Sequence, residues 1–246
     1  VIRSTDGSVA KIVEEKDASD DERAVNEINT GTYCFDNEAL FETLKKVDNS
    51  NAQGEYYLPD VIEILKRQDE IVGAFTLTNM DEALGVNNRV ALSEATKIMR
   101  KRINTQHMVN GVTLVDPEST YIDVDVKIEA DTVIEPSTYL KGRTVIGADV
   151  LIGMNTTIED SVISDHVKIT QSVIEASTVD SGADIGPHSH LRPLSEIGKN
   201  VHIGNYVEIK KSSIDENTKV GHHTYIGDAK VGTNVNVGCG VVFANY

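Results

Sequence analysis

Residues 121–158 read YIDVDVKIEADTVIEPSTYLKGRTVIGADVLIGMNTTI, and this stretch decides the fold. An aliphatic side chain recurs in it at every sixth position, and seven such positions follow one another: Ile122, Ile128, Ile134, Leu140, Ile146, Ile152 and Ile158. A period of six fits neither the ~3.6 residues of a helical turn nor the alternation of a long strand. It predicts a coil of short strands, about 18 residues to a turn, in which each hexad points one aliphatic side chain to a common axis.

The repeat extends along the rest of the chain, with occasional five-residue steps. Its later members are Ile163, Ile169, Ile174, Ile185, Leu191, Ile197, Ile203, Ile209, Ile214, Val220, Ile226, Val231, Val237 and Phe243. Between Ile174 and Ile185 the sequence leaves the register undefined. Threonine often stands two residues before the aliphatic, as at Thr132 and Thr144, where a small or β-branched side chain suits a tight corner. A stack of buried Ile and Leu side chains needs no aromatic core, since each contributes about 1.5–3 kcal/mol.

The first half of the chain has a different pattern. Residues 36–44 (DNEALFETL) and 58–65 (LPDVIEIL) have the apolar spacing of short amphipathic helices, and residues 71–77 (IVGAFTL) form an apolar run typical of a strand. This alternation predicts part of an α/β domain. Between Asn88 and about Asn104 the apolar residues again lie near helical spacing, which predicts a helix that connects the two halves.

Composition and charge limit the function classes. The 246 residues carry 39 acidic and 23 basic side chains, for a formal net charge of -16, which argues against nucleic-acid or anionic-membrane partners. The sequence has neither an apolar stretch of about 18 residues nor the layout of a signal peptide. Its two cysteines, Cys34 and Cys239, are too few for a disulfide framework. We therefore predict a cytoplasmic protein.

Four phrases of the first half occur together in one known family: VEEKDA at 13–18, EINTG at 27–31, NAQGEYY at 51–57 and GVNNR at 85–89. In this order, and followed by the hexad repeat, they resemble the bacterial bifunctional N-acetylglucosamine-1-phosphate uridyltransferases/glucosamine-1-phosphate acetyltransferases over essentially the whole chain. The resemblance implies an α/β plus all-β protein. Its parts are the C-terminal portion of a Rossmann-like nucleotidyltransferase domain at 1–89, a linker helix at 90–110 and a truncated left-handed parallel β-helix of hexapeptide repeats at 111–246.

The family's contacts with UDP-N-acetylglucosamine imply roles for three polar residues. By match with the motifs these are Glu14, Asn29 and Asn87, and Asn87 is also implied as an oxygen ligand of Mg²⁺. The alternative is that Glu14 and Asn29 are solvated turn residues and that Asn87 caps the following helix. The family's Gly-rich nucleotide loop and its Mg²⁺-binding Asp have no counterpart here, so we expect a fragment that is incomplete for uridyl transfer.

Two cations of the repeat, Arg192 and Lys210, each directly follow an inward aliphatic position, and they are separated by three hexads. Adjacent coils would place them about 4.8 Å apart, which is one strand spacing. Stacked cations repel each other, so the arrangement predicts a phosphate group that bridges them. The alternative is that Glu208 and other nearby carboxylates neutralise the pair.

The resemblance implies the remaining residues of an acetyltransferase site. The segment GHHTY at 221–225 matches the family's catalytic motif with His222 as the base, which takes a proton from the amine of glucosamine 1-phosphate, and Glu208 is a candidate to orient it. The same match assigns residues to the two substrates: Arg192, Lys210, Tyr225 and Asn236 to the sugar phosphate, and Cys239 (through its backbone), Asn245 and Tyr246 to acetyl-CoA.

In the family, acetyl transfer from acetyl-CoA precedes uridyl transfer from UTP to N-acetylglucosamine 1-phosphate, Mg²⁺ is required, and the β-helices form homotrimers. We interpret the chain as a part of such an enzyme that is incomplete for both reactions. Two alternatives stay open: another sugar-nucleotide pyrophosphorylase whose β-helix only assembles subunits, and a non-catalytic trimeric binding scaffold. A zinc site is disfavoured, because the histidines match no metal-ligand spacing: His188, His190, His222 and His223.

Overall fold

The computed structural model describes residues 1–245, so the predicted acetyl-CoA residue Tyr246 lies outside the described residues. The chain divides into two compact units, Val1–Gly85 and a second unit that begins at Val86. Each unit is described by itself below.

The first unit combines short helices with a small sheet. Its elements are β1 (Ile2–Arg3), β2 (Val9–Lys11), α1 (Asp20–Arg23), α2 (Asn37–Leu44), α3 (Asp60–Arg67) and a 3-10 turn (Met80–Ala83). The two strands pair antiparallel. The Asp36 side chain caps α2 by accepting from the Ala39 amide at 3.0 Å, a cap that the sequence pattern favours. The two helices predicted from apolar spacing are therefore confirmed, with α3 two residues later than its apolar run begins.

The strand predicted over residues 71–77 is wrong. No strand is formed there within the described residues, and Ile71 is fully exposed while Phe75 is 88% exposed. An apolar run becomes a strand only when a neighbouring strand satisfies its backbone donors and acceptors. The sheet of this unit consists of β1 and β2 alone, and residues 71–77 pair with neither strand.

The predicted connecting helix is confirmed as α4 (Arg89–Val109), which continues beyond Asn104. Its N-terminus is capped by Asn88, whose side chain accepts from the Ala91 amide at 2.9 Å. The buried Asn104 side chain donates to the carbonyls of Pro117 (2.8 Å) and Thr120 (3.0 Å), which ties the helix to the first coil of the repeat. The helix therefore packs with the second unit as its N-terminal end.

The second unit is a parallel β-helix, as the hexad repeat predicts. Its strands are β3 (Thr113–Leu114), β4 (Tyr121–Ile122), β5 (Lys127–Ile128), β6 (Val133–Ile134), β7 (Tyr139–Lys141), β8 (Val145–Ile146), β9 (Leu151–Ile152), β10 (Thr157–Glu159), β11 (Val162–Ile163), β12 (Lys168–Ile169), β13 (Val173–Glu175), β14 (Thr178–Val179), β15 (Asp184–Ile185), β16 (His190–Leu191), β17 (Glu196–Ile197), β18 (His202–Lys210), β19 (Ser213–Ile214), β20 (Lys219–Gly227), β21 (Lys230–Val231) and β22 (Asn236–Val237). Leu140 pairs with Ile158, 18 residues on, and Ile158 pairs with Ile174, 16 residues on, so each turn of the coil takes about three hexads.

The inward aliphatic side chains form three columns, one for each face of the coil. The first column holds Leu114, Ile134, Ile152, Ile169, Ile185, Ile203, Val220 and Val237; the second holds Ile122, Leu140, Ile158, Ile174, Leu191, Ile209 and Ile226; the third holds Ile128, Ile146, Ile163, Val179, Ile197, Ile214 and Val231. Val179 supplies the position that the sequence left undefined, through a five-residue step from Ile174.

The corners of the coil use left-handed backbone conformations three residues before an inward aliphatic. Asp131, for example, has φ 64°, and the next residue, Thr132, is fully buried. The Thr132 hydroxyl donates to the Gly147 carbonyl (2.9 Å) and accepts from the Val150 amide (3.1 Å), which joins one coil to the next. The predicted role of threonine at the corners is confirmed, and its hydroxyl adds a bond between coils.

Candidate functional site

Three of the predicted acetyltransferase residues, Lys210, His222 and Tyr225, lie on two long strands that run through a corner without a break. These strands, β18 and β20, lie side by side with Asn205 opposite His222 and Glu208 opposite Tyr225. Continuous pairing through the corner fixes the relative position of side chains on both faces, because every residue has a defined partner one coil away. The corner formed by residues 202–210 and 219–227 is called the β18–β20 corner below.

Arg192 and Lys210 are neighbours on adjacent coils. Leu191 pairs with Ile209, and the Arg192 amide donates to the Ile209 carbonyl at 2.8 Å. Each cation also has a carboxylate partner. Arg192 Nη1 lies 2.9 Å from Glu208 Oε1, and Lys210 Nζ lies 3.8 Å from Asp228 Oδ2. The structure thus contains the neutralising carboxylates that the alternative to a bridging phosphate requires.

Glu208 is placed against Arg192 and not against His222. Its carboxylate accepts a hydrogen bond from Arg192 Nη1, and among the described contacts none joins it to His222. Its neighbours in register are His190 and Tyr225. The structure therefore does not support the predicted orienting role of Glu208. Glu208 lies three positions along the chain from Asn205, the register partner of His222.

His222 is exposed, and its ring meets the ring of His223 edge to face, with centroids 6.2 Å apart and planes at 86°. Its register partner, Asn205, has a buried side-chain oxygen, Oδ1, without a hydrogen-bond partner. A buried unpaired acceptor costs about 1–3 kcal/mol, so such an atom beside a site is a candidate acceptor for a ligand or a neighbouring ring. Sequence reasoning missed Asn205. Counting one coil back from His222 is the signal that would have found it.

The ring of Tyr225 connects this corner to the predicted acetyl-CoA segment. Tyr225 Oη donates to Asn245 Oδ1 at 3.2 Å, and Asn245 Nδ2 donates to Asp228. This bond from Asn245, together with the nearby positive charges of Lys210 and Lys211, holds the pKa of the Asp228 carboxyl below its usual range. Asp228 therefore contacts both a predicted sugar-phosphate residue, Lys210, and a predicted acetyl-CoA residue, Asn245.

The last coil lies directly over β20. The Gly240 amide donates to the His223 carbonyl (3.0 Å), and the Phe243 amide donates to the Tyr225 carbonyl (3.0 Å). Cys239, a free exposed thiol, thus lies next to this layer, and exposed Asn236 pairs in register with Lys219. The backbone brings the predicted sugar-phosphate and acetyl-CoA segments onto neighbouring coils.

The residues predicted to bind UDP-N-acetylglucosamine belong to two different units and are described one unit at a time. Asn29 lines a cleft of about 870 Å³ in the first unit, but its side chain is occupied locally. It donates to Tyr33 Oη (2.6 Å) and accepts from the Gly31 amide (3.1 Å). Glu14 is an exposed residue of a turn in the same unit, and exposed Asn87 belongs to the second unit. The expectation that Asn87 caps α4 is wrong, because Asn88 makes the cap.

The described residues 1–245 contain no group of three or more His, Cys, Asp or Glu side chains arranged to hold a metal ion. Asn87 would contribute a single amide oxygen, which does not make a Mg²⁺ site by itself. None of the helices within the described range combines the length and apolar character that a membrane crossing requires.

The whole chain matches curated relatives. It is 61% identical to the bifunctional protein GlmU of Limosilactobacillus fermentum and 59% identical to that of Enterococcus faecalis, in each case over 100% of this chain and 54% of the relative. Residues 173–245 also match the family model described as the GMPPB C-terminal domain. Among solved structures, the acetyltransferase domain of PglB from Neisseria gonorrhoeae in complex with acetyl coenzyme A has 13% identity and a TM-score of 0.31, and the match covers 58% of this chain and 63% of that one. That likeness carries no argument here. The identities over the whole chain confirm the resemblance seen in the four motifs: the chain is similar along its entire length to bifunctional GlmU proteins and spans about half the length of the relatives it matches.

Proposed function

We propose that the β-helix unit carries the acetyltransferase site of a bifunctional enzyme of UDP-N-acetylglucosamine synthesis. In the proposed reaction the amine of glucosamine 1-phosphate attacks the thioester carbonyl of acetyl-CoA. A C–N bond forms, the C–S bond breaks, and the amine proton leaves to a base while coenzyme A departs as its thiol. The products are N-acetylglucosamine 1-phosphate and coenzyme A.

His222 is the proposed base. Its ring is exposed at the β18–β20 corner, where a substrate amine can reach it. A neutral imidazole nitrogen can accept the amine proton as the new bond forms. Asn205 Oδ1, the unpaired acceptor opposite His222, is suited to accept from the other ring nitrogen and so fix the tautomer.

Arg192 and Lys210 are the proposed phosphate ligands. Arg192 presents a fork of donors that matches a phosphate, and Lys210 adds a point charge one coil away. Because both cations contact carboxylates, a phosphate must compete with Glu208 and Asp228 for them. Tyr225 and Asn236 are proposed to contact the sugar.

The other parts of the proposal concern residues whose partners would lie in the rest of a full-length enzyme. We propose that Cys239, Asn245 and Tyr246 begin the acetyl-CoA site, and that Glu14, Asn29 and Asn87 contribute to a uridyltransferase site that uses UTP and Mg²⁺. On the same family resemblance, we propose that the protein forms a homotrimer and acts in the cytoplasm.

The observation that carries the proposal is the identity of 59–61% over the whole chain to bifunctional GlmU proteins. Its test is release of the coenzyme A thiol from acetyl-CoA on addition of glucosamine 1-phosphate. The assay uses the 246-residue chain and a chimaera in which this chain replaces the matching segment of the Enterococcus faecalis relative. We expect thiol release by the chimaera and its loss in the His222→Ala chimaera. A folded chimaera that releases no thiol, or a His222→Ala variant as fast as its parent, would contradict the proposal.

A β-helix that only assembles subunits of another sugar-nucleotide pyrophosphorylase is the second candidate. The observation that favours it is the pairing of Arg192 with Glu208 and of Lys210 with Asp228, since cations that already contact carboxylates need no phosphate to neutralise them. Binding titrations separate the two candidates. The assembly role predicts no binding of glucosamine 1-phosphate or acetyl-CoA by the chimaera, whereas the acetyltransferase predicts binding of both.

A further inference from the structure

Three aromatic rings form a stack along the corner that carries His222. Tyr206 lies between His188 and His223, with ring centroids 5.3 and 5.2 Å apart and planes inclined by 17° and 25°. These distances and angles are those of stacked rings. The set of His188, Tyr206 and His223 is called the aromatic ladder below.

The ladder follows from the register of the coils. Its three members occupy the left-handed corner position of successive coils, with φ of 61°, 56° and 49°. Asn, Asp and His adopt this conformation more readily than most residues, whereas other large side chains rarely do. Other corners of this coil also use such residues, as at Asp131, Asn155 and His166. Of the three members of the ladder, Tyr206 is therefore the one that the corner geometry alone does not favour.

The ladder ends against the proposed catalytic base. His223 at its end meets the His222 ring edge to face. Tyr206 directly follows Asn205, the register partner of His222, just as His223 directly follows His222. The central and terminal rings are therefore each one residue away from the Asn205–His222 pair. Apart from His223, no described ring contact, hydrogen bond or ion pair restrains the His222 side chain.

We propose that Tyr206 is a positioning residue for His222, an inference that rests on the proposed acetyltransferase function. The Tyr206 ring holds His223 by stacking, and His223 in turn limits the orientations of the His222 ring. Tyr206 itself contacts no reacting atom in this arrangement. A misplaced base lowers the rate of the chemical step while the phosphate contacts of Arg192 and Lys210, which determine substrate binding, remain.

The variants distinguish the effect of losing the Tyr206 ring from the effect of changing a residue with left-handed backbone at a corner. Tyr206→Asn removes the ring and keeps a residue that tolerates the left-handed conformation. Tyr206→Phe keeps the ring and removes the hydroxyl. The matched control is Leu194→Asn, because Leu194 is also an exposed corner residue (65% exposed, φ 65°) but belongs to no ladder. His188→Asn shortens the ladder at its far end and provides a second variant if Tyr206→Asn does not fold.

Two measurements are made on every variant. The first uses NMR of the chain labelled at histidine: relaxation reports how rigidly the His222 and His223 rings are held, and the chemical shifts of the His223 ring protons report the stacking. The second is kcat and KM for glucosamine 1-phosphate in the chimaera described above. The NMR measurement does not depend on enzyme activity. It therefore tests whether Tyr206 orders the His222 ring even if the proposed acetyltransferase function is wrong.

We expect upfield-shifted His223 ring protons and ordered His222 and His223 rings in the parent, in Tyr206→Phe and in Leu194→Asn. In Tyr206→Asn the His223 shift and the order of both rings should be lost, and kcat should fall about tenfold with KM changed less than about twofold. His188→Asn should give a smaller change in the same direction. The inference is overturned if the parent lacks the shift, if the His222 ring stays ordered in Tyr206→Asn, or if kcat there equals that of Leu194→Asn.

Discussion

The backbone of adjacent coils leaves no room for a side chain at Gly198. A Cβ built at this position would lie 2.9 Å from the Glu216 amide nitrogen and 2.9 Å from the Ile214 carbonyl oxygen. Both neighbours are main-chain atoms of the next coil, and the Gly198 amide already donates to the Ile214 carbonyl at 2.8 Å. Since carbon contacts become favourable only at about 3.5 Å, two coils must separate by roughly half an ångström to admit alanine.

We predict that Gly198→Ala lowers the free energy of unfolding of the β-helix by about 1–3 kcal/mol, as expected for overpacking against a rigid neighbour. For a chain of this length that corresponds to a fall in Tm of roughly 2–12 °C. The matched control is Gly221→Ala. Gly221 also follows an inward aliphatic residue, but a Cβ there would meet nothing within 4 Å. Loss of backbone freedom in the unfolded chain should make Gly221→Ala neutral or stabilising by up to about 1 kcal/mol.

Urea unfolding followed by circular dichroism measures both variants against the parent. The slope with denaturant concentration shows whether either variant changes the surface exposed on unfolding. Equal midpoints for Gly198→Ala and Gly221→Ala would refute the reasoning, because they would show that the coils separate without cost.

Three further predictions concern charge and packing. Glu208→Gln should tighten binding of glucosamine 1-phosphate about three- to tenfold, because it frees Arg192 from its carboxylate partner; weaker binding in isothermal calorimetry would show instead that Glu208 contacts the sugar. Because the pKa of Asp228 is lowered in the folded chain, its ionised carboxylate stabilises the fold at pH values above the usual pKa of an aspartate. This stabilisation should be lost as the pH falls through the lowered pKa, and an NMR titration in which the Asn245 side-chain amide signals are unchanged at acid pH would contradict the prediction. Ile152→Ala should cost about 2–5 kcal/mol in urea unfolding, because Ile152 is fully buried in the first column, and a cost below about 1 kcal/mol would mean that the coil collapses around the cavity.

The hexad repeat predicted the β-helix because each inward position has the same task. Every coil must bury one aliphatic side chain on each face, so the requirement repeats along the sequence and is visible without a structure. Val179 escaped the prediction because the five-residue step from Ile174 to Val179 directly follows another five-residue step, from Ile169 to Ile174. A shift of that kind is resolved only by pairing with the neighbouring coil.

The first unit was less predictable for a related reason. Short helices carry local signals, such as the apolar faces of α2 and α3, and these signals predict both helices correctly. A strand depends on a partner that is distant in sequence, and the run at 71–77 has the composition of a strand but pairs with neither β1 nor β2. Local pattern therefore predicted element type where hydrogen bonds are local, and failed where they are not.

At the candidate site, the sequence by itself determined that Arg192 and Lys210 lie on adjacent coils, since three hexads return the chain to the same face. Only the tertiary structure decided which carboxylate each cation contacts, that Glu208 faces Arg192, and that His188, Tyr206 and His223 stack beside His222. The physical reason is that the period fixes the position of each backbone residue along the coil. The orientation of a surface side chain depends instead on competition among all the charges and rings that the neighbouring coils place around it.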